Sequence, residues 1–194
     1  YSYNNSTLIT SMKKEFSALG VVNKRKVCIS HNDKINKIIT MSTSKLNSIE
    51  TIVSSEVNNN KDMKCLILTD YIKMSSKNYI GNLNKEIDSF GTLPIFEYLR
   101  RANIADVKLC CLSGSICIVP KSCVKYLQDD FNYEVLADEN YVEILTDYKN
   151  RKKIVLLITK LFQNNEFNVL IGTKSLLGEG WDSPCINSLI LASF

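Results

Sequence analysis

Only seven glycines and three prolines occur in 194 residues, too few for a collagen-like repeat or a Gly/Pro-rich low-complexity chain. Histidine is nearly absent: His31 is the only one. None of the seven cysteines sits in a Cys-x-x-Cys pair, so a zinc site lacks ligands at workable spacing. No apolar run approaches the roughly 18–20 residues of a membrane span. The first residues are polar, without the basic and apolar regions of a secretory leader. Charge of one sign is not in large excess either, with 24 basic and 20 acidic side chains. Residues 1–60 hold eight of those cations and only four of the acids, so the remainder of the chain is balanced. Bulk charge therefore gives no argument for nucleic-acid binding by residues 61–194.

What is present is the composition of an ordinary folded domain. Hydrophobic residues make up 45% of the chain, mean hydropathy is −0.06, and the length suffices to bury a core. Cys65, Cys110, Cys111 and Cys117 fall in apolar runs, where a free thiol behaves as a small buried hydrophobe. Reduced structural thiols and a cytoplasmic address follow as expectations.

Two stretches differ in grammar. Within residues 1–60, Leu46, Ile49, Ile52, Val53 and Val57 recur at helical spacing, with Ser44 as the expected N-cap. Asn23 to Lys26 reads as a short basic loop. These 60 residues read together as a helical linker or N-terminal extension. From residue 61 onward, short apolar runs alternate with helical patterns. Strands are expected at 65–68, 107–112, 116–119, 133–136, 167–171 and 186–191. Helices are expected from Pro94, over 122–128 and over 150–164, the last with Ile154, Leu157, Ile158, Leu161 and Phe162 on one face. Residues 73–91 read as a polar loop. This alternation implies βαβ units and a mostly parallel α/β sheet covered on both faces.

Residues 169–182 carry the strongest chemical signal. A buried strand runs into Gly172-Thr173-Lys174-Ser175-Leu176-Leu177-Gly178-Glu179-Gly180-Trp181-Asp182. In parallel sheets, ligands sit beyond the carboxyl ends of strands. Gly178 and Gly180 permit close backbone approach, Thr173 and Ser175 offer hydroxyls to phosphate oxygens, and Asp182 can accept from a ribose or pair with a cation. The competing account is a tight connection whose glycines serve only to turn the chain. Trp181 divides between a base-stacking surface and an anchor for the loop. Arg151-Lys152-Lys153 at the start of the 150–164 helix divides between phosphate contact and a solvated face.

Thr173 to Asp182 resembles motif V of superfamily 2 helicases, in the Gly-Glu-Gly-Trp-Asp variant seen in restriction-type and DEAD/DEAH-box motors. Cys65 to Tyr71 resembles motif IV, Leu112-Ser113-Gly114 the strand-then-glycine segment after it, and Ile186 to Ser193 the strand after motif V. The resemblance covers residues 60–194 and implies a three-layer RecA-like domain of the P-loop NTPase type, the second motor domain of an ATP-dependent DNA or RNA helicase or translocase. It implies nucleic-acid contacts at Thr69, Gly114, Thr173 and Ser175, and nucleotide-facing roles for Gly178, Gly180 and Asp182. ATP and Mg2+ would be shared with a first RecA-like domain of the same protein, and a nuclease or restriction/defence subunit is an expected kind of partner. No Gly-x-x-x-x-Gly-Lys-Ser/Thr and no Asp-Glu-x-His/Asp box occurs, and the Gln-x-x-Gly-Arg-x-x-Arg element is not reached. Residues 61–194 are thus expected to be inactive as an ATPase on their own, with no complete catalytic set. A different class stays open: a non-catalytic α/β binding or interaction domain whose Gly-rich loop is structural. A flavodoxin-like enzyme is disfavoured because no phosphate loop follows the first strand.

Overall fold

The computed structural model describes residues 6–18, 22–23, 26–27, 43–70, 74–127, 131–147, 149–177 and 181–192. The chain divides into two compact units, Tyr1–Ser42 and Thr43–Phe194. In the smaller, helix α1 (Ser6–Ala18) precedes a two-stranded antiparallel ribbon, β1 (Val22–Asn23) with β2 (Lys26–Val27). Lys24, Arg25, Cys28 and His31 lie outside the described residues.

The larger unit begins with helix α2 (Ser44–Asn59), which buries Leu46, Ile49 and Val53. The amphipathic pattern read as part of a linker therefore belongs to the domain, because three of its apolar residues close that core. Its N-cap is Thr43 in place of Ser44, and no side-chain bond caps the helix.

A seven-stranded sheet follows, in the order β6-β7-β5-β4-β8-β3-β9. Its strands are β3 (Cys65–Thr69), β4 (Leu109–Leu112), β5 (Cys117–Pro120), β6 (Tyr133–Val135), β7 (Tyr141–Ile144), β8 (Val169–Thr173) and β9 (Ser188–Leu191). The four strands β4, β8, β3 and β9 pair parallel. The remaining three run antiparallel, through β4–β5, β5–β7 and β6–β7. The sheet is mixed, parallel only in one half. β7 was not expected from the sequence. It is a short strand in which Glu143, only 6% exposed, breaks the apolar run. Lys77 neutralises that carboxylate at 2.8 Å from a 3-10 turn (Met74–Tyr79) inside the stretch read as a loop.

β3, β4 and β8 are buried at every position, as strands covered on both faces must be. On one face, helix α4 (Arg151–Gln163) sets Ile154, Ile158, Leu161 and Phe162 against Leu66, Leu68, Cys110, Leu112 and Leu170. On the other lies helix α3 (Thr92–Ala102), whose Phe96 meets Tyr141 edge-on at 5.2 Å. Pro94 sits in the first turn of α3, where its missing N–H has no helical partner to lose. Residues 122–128, expected as a helix, give a 3-10 turn over Lys121–Tyr126.

One lysine is structural. Lys64 is 5% exposed, and its ammonium donates to the Phe162 carbonyl and reaches the Phe167 carbonyl at 3.5 Å. It thereby adds a charged donor to a last-turn carbonyl of α4 that also accepts from the Asn165 N–H at 3.3 Å. Burial holds its pKa below the ordinary lysine value of 10.5. Among the described residues, no helix is long and apolar enough to cross a membrane.

Candidate functional site

Parallel pairing puts three separate segments at one edge of the sheet. β3 and β8 are in register from Cys65 opposite Val169 through Thr69 opposite Thr173. On the other side of β8, Leu112 of β4 lies opposite Gly172. The carboxyl ends of β3, β8 and β4 are therefore neighbours, and Thr69, Thr173 and the Ser113-Gly114 turn emerge there together.

Gly172 has a packing reason to be glycine. A Cβ at that position would lie 2.3 Å from Leu177 Cδ1 and 2.9 Å from the Leu112 carbonyl oxygen. The short helix α5 (Lys174–Leu177) turns directly after β8 and folds Leu177 back over the strand, where it is buried.

The hydroxyls at this edge differ in reach. Thr69 is fully buried and Thr173 is 5% exposed, while Ser175 is exposed and donates to Thr173 Oγ1 at 3.3 Å. Of the three, Ser175 is the one that faces solvent. The residues that follow the two threonines meet across the strand gap: Lys174 Nζ lies 3.4 Å from Asp70 Oδ1. Both residues directly follow the last in-register pair, Thr69 opposite Thr173, which brings them side by side.

Ser113 organises the third segment. Its Oγ accepts from the Ile116 N–H at 3.1 Å and the Ser115 N–H at 3.4 Å, which closes the β4–β5 turn. Gly114, partly exposed, faces α4: a Cβ there would lie 3.8 Å from the Arg151 guanidinium carbon. Arg151, which the sequence left divided between a phosphate contact and a solvated face, therefore stands at the same edge as Gly114.

Beyond α5, Gly178, Glu179 and Gly180 lie outside the described residues. The loop is picked up again at Trp181, whose indole N–H donates to Thr159 Oγ1 at 2.8 Å. Of the two uses weighed for Trp181, the anchor is the one present. Asp182 is exposed. Ser183 is 7% exposed, and its Oγ lies 3.3 Å from the half-buried Cys185 Sγ.

Of the residues singled out from the sequence, Thr69, Thr173, Ser175 and Gly114 come together at this edge. Asp70 and Lys174 belong with them and are missed by sequence reasoning, although the strand register would name them. Among the described residues, no group of three or more His, Cys, Asp or Glu side chains could hold a metal ion. A cavity of about 520 Å3 lies away from this edge, between the end of α3 and the β6–β7 turn. Among the polar residues that line it, Arg100 and Asp138 are paired with each other at 3.1 Å.

Comparisons of the chain with protein-family models, curated proteins and solved structures returned no match.

Proposed function

We propose that the larger unit is the second, RecA-like motor domain of an ATP-dependent nucleic-acid helicase or translocase of superfamily 2, with DNA the favoured track. One observation carries this reading. The segment that resembles motif IV runs out of β3 and the segment that resembles motif V starts at the end of β8, side by side and in register at the carboxyl ends of parallel strands. The third resembling segment, Leu112-Ser113-Gly114, ends on the strand beside them. Three segments of one resemblance, far apart in the sequence, thus meet on one surface, where ligands of parallel α/β sheets bind.

The chemistry of that surface suits a phosphate backbone. Ser175 offers a solvent-facing hydroxyl, Lys174 and Arg151 offer cations, and the buried Thr173 supports Ser175 from beneath. Such contacts position a strand without reading its sequence. For ATP and Mg2+ the residues present do not form a site by themselves: Asp182 is the one described residue among the three assigned to the nucleotide. ATP and Mg2+ are therefore assigned to a cleft shared with a first RecA-like domain, and no step is routed through them.

The burial of Thr69 and Thr173 and the anchoring of Trp181 favour a second reading, a non-catalytic α/β binding domain whose loop is structural. Titration of labelled oligothymidylate with the full chain separates the two. The motor reading expects binding whose log affinity falls linearly with log salt, and a several-fold loss in Ser175→Ala. Absence of binding at low salt, or binding indifferent to salt and to Ser175→Ala, would favour the structural loop.

A further inference from the structure

Resting on the reading that this strand edge meets a nucleic-acid backbone, we propose that Lys174 is its phosphate-binding cation and that Asp70 holds Lys174 in reserve by standing where a phosphate would. The two threonine hydroxyls are too buried to reach a ligand. Among the described residues, the solvent-facing polar groups at the ends of β3 and β8 are thus Asp70, Lys174 and Ser175. The Asp70 carboxylate lies 3.4 Å from the Lys174 ammonium, with the lysine side chain 48% and the aspartate side chain 27% exposed. A carboxylate oxygen and a phosphate oxygen are interchangeable acceptors for an ammonium N–H. So exposed an ion pair is weakly held, and an arriving phosphate can take the lysine from it. With the pair closed, the Lys174 charge is offset by Asp70 until a phosphate displaces the carboxylate. Asp70 is then a positioning residue that sets affinity, and Lys174 and Ser175 are the groups that touch the backbone.

The test is an anisotropy titration of labelled oligothymidylate, with oligouridylate as a second arm, using the full chain at several salt concentrations. The variants are Asp70→Asn, Lys174→Ala and the two combined, each checked for an unchanged circular dichroism spectrum. Asp70→Asn is expected to tighten binding about three- to tenfold at low salt, and Lys174→Ala to weaken it and lower the salt slope by about 0.7, the loss of one single-strand phosphate contact. In the Lys174→Ala background, Asp70→Asn should change affinity by less than about twofold, since the cation it releases is gone. A wild-type chain that binds while Asp70→Asn leaves affinity unchanged overturns the reserve role and leaves the motor reading standing. An Asp70→Asn gain undiminished without Lys174 overturns the reserve role as well, because the carboxylate would then act only as one charge in the general field. Failure of every form to bind either oligonucleotide at low salt overturns both. Whichever arm shows the mutational pattern identifies the track as DNA or RNA.

Discussion

The indole N–H of Trp181 donates to Thr159 Oγ1 at 2.8 Å, and the Thr159 hydroxyl donates in turn to the Val155 carbonyl at 2.7 Å. The chain re-entering after residues 178–180 is thereby tied to the middle of α4. Loss of either side chain deletes the bond between them, and loss of the Thr159 hydroxyl also removes its bond to the Val155 carbonyl. Trp181→Phe and Thr159→Val are each expected to lower unfolding free energy by about 1 kcal/mol. The double variant should lose less than their sum. Urea unfolding followed by circular dichroism measures all three; strict additivity would show that the two side chains are not coupled.

Gly172→Ala tests why the strand narrows before the loop. The added methyl meets Leu177 Cδ1 at 2.3 Å and the Leu112 carbonyl oxygen at 2.9 Å. A leucine tip can move, but the oxygen belongs to a strand paired on both sides. A loss of about 1–3 kcal/mol is expected. Combining it with Leu177→Ala removes only the first clash, so the double variant should remain less stable than Leu177→Ala alone. Equal midpoints for Leu177→Ala with and without Gly172→Ala would mean that the Leu112 backbone yields.

The sequence made some of this legible for physical reasons. α4 and α2 were readable because helical periodicity exposes a buried stripe directly, and β3 and β8 because a strand covered on both faces is apolar throughout. In the antiparallel half β5 and β6 were readable as strands but β7 and the pairing direction were not, since direction leaves little trace in a strand of three or four residues. Glu143 further masks β7 until its partner Lys77 is known. The candidate edge was half legible. Resemblance singled out Thr69, Thr173 and Gly114, but that the two threonines are buried, and that Asp70 faces Lys174, depend on the register between strands far apart in the chain.

Glu97 gives a pH-dependent prediction. It is fully buried and takes Arg100 Nε at 2.7 Å, Arg100 Nη2 at 2.8 Å, Arg101 Nε at 2.8 Å and the Gly81 N–H at 3.4 Å. Burial works against its charge, yet the guanidinium hydrogen bonds outweigh it and hold the carboxyl below the ordinary 4.5. A depressed folded-state pKa contributes stability above the unfolded value, which is lost as pH falls through the folded one. Glu97→Gln leaves Arg101 short of its counter-charge and Arg100 with Asp138 as its remaining carboxylate partner, and should cost about 3 kcal/mol at neutral pH. The gap between the two proteins is expected to be widest near pH 7 and to narrow as pH falls below the ordinary 4.5 and through the depressed folded-state value, where the wild-type carboxyl also becomes neutral. Thermal unfolding across pH measures it; a gap independent of pH would mean that packing, not charge, sets the cost.

The thiols should divide by burial. Cys65, Cys110, Cys111, Cys117 and Cys123 are buried, and Cys185 is half-buried beside Ser183. Burial raises the Cys65 and Cys123 thiols to about 11 and pushes Cys110, Cys111 and Cys117 upward as well. The thiolate is the nucleophile, and at pH 8 a thiol of pKa 11 is ionised to only about 0.1%. Brief alkylation of the native chain at pH 8, read by peptide mapping, should therefore modify Cys185 well before any of the five. In urea the five should react at ordinary rates, since unfolding restores both access and ionisation. Native-state labelling of Cys110 or Cys117 at a rate matching Cys185 would require the β4–β5 hairpin to open readily, against its place between β7 and β8 in the centre of the sheet.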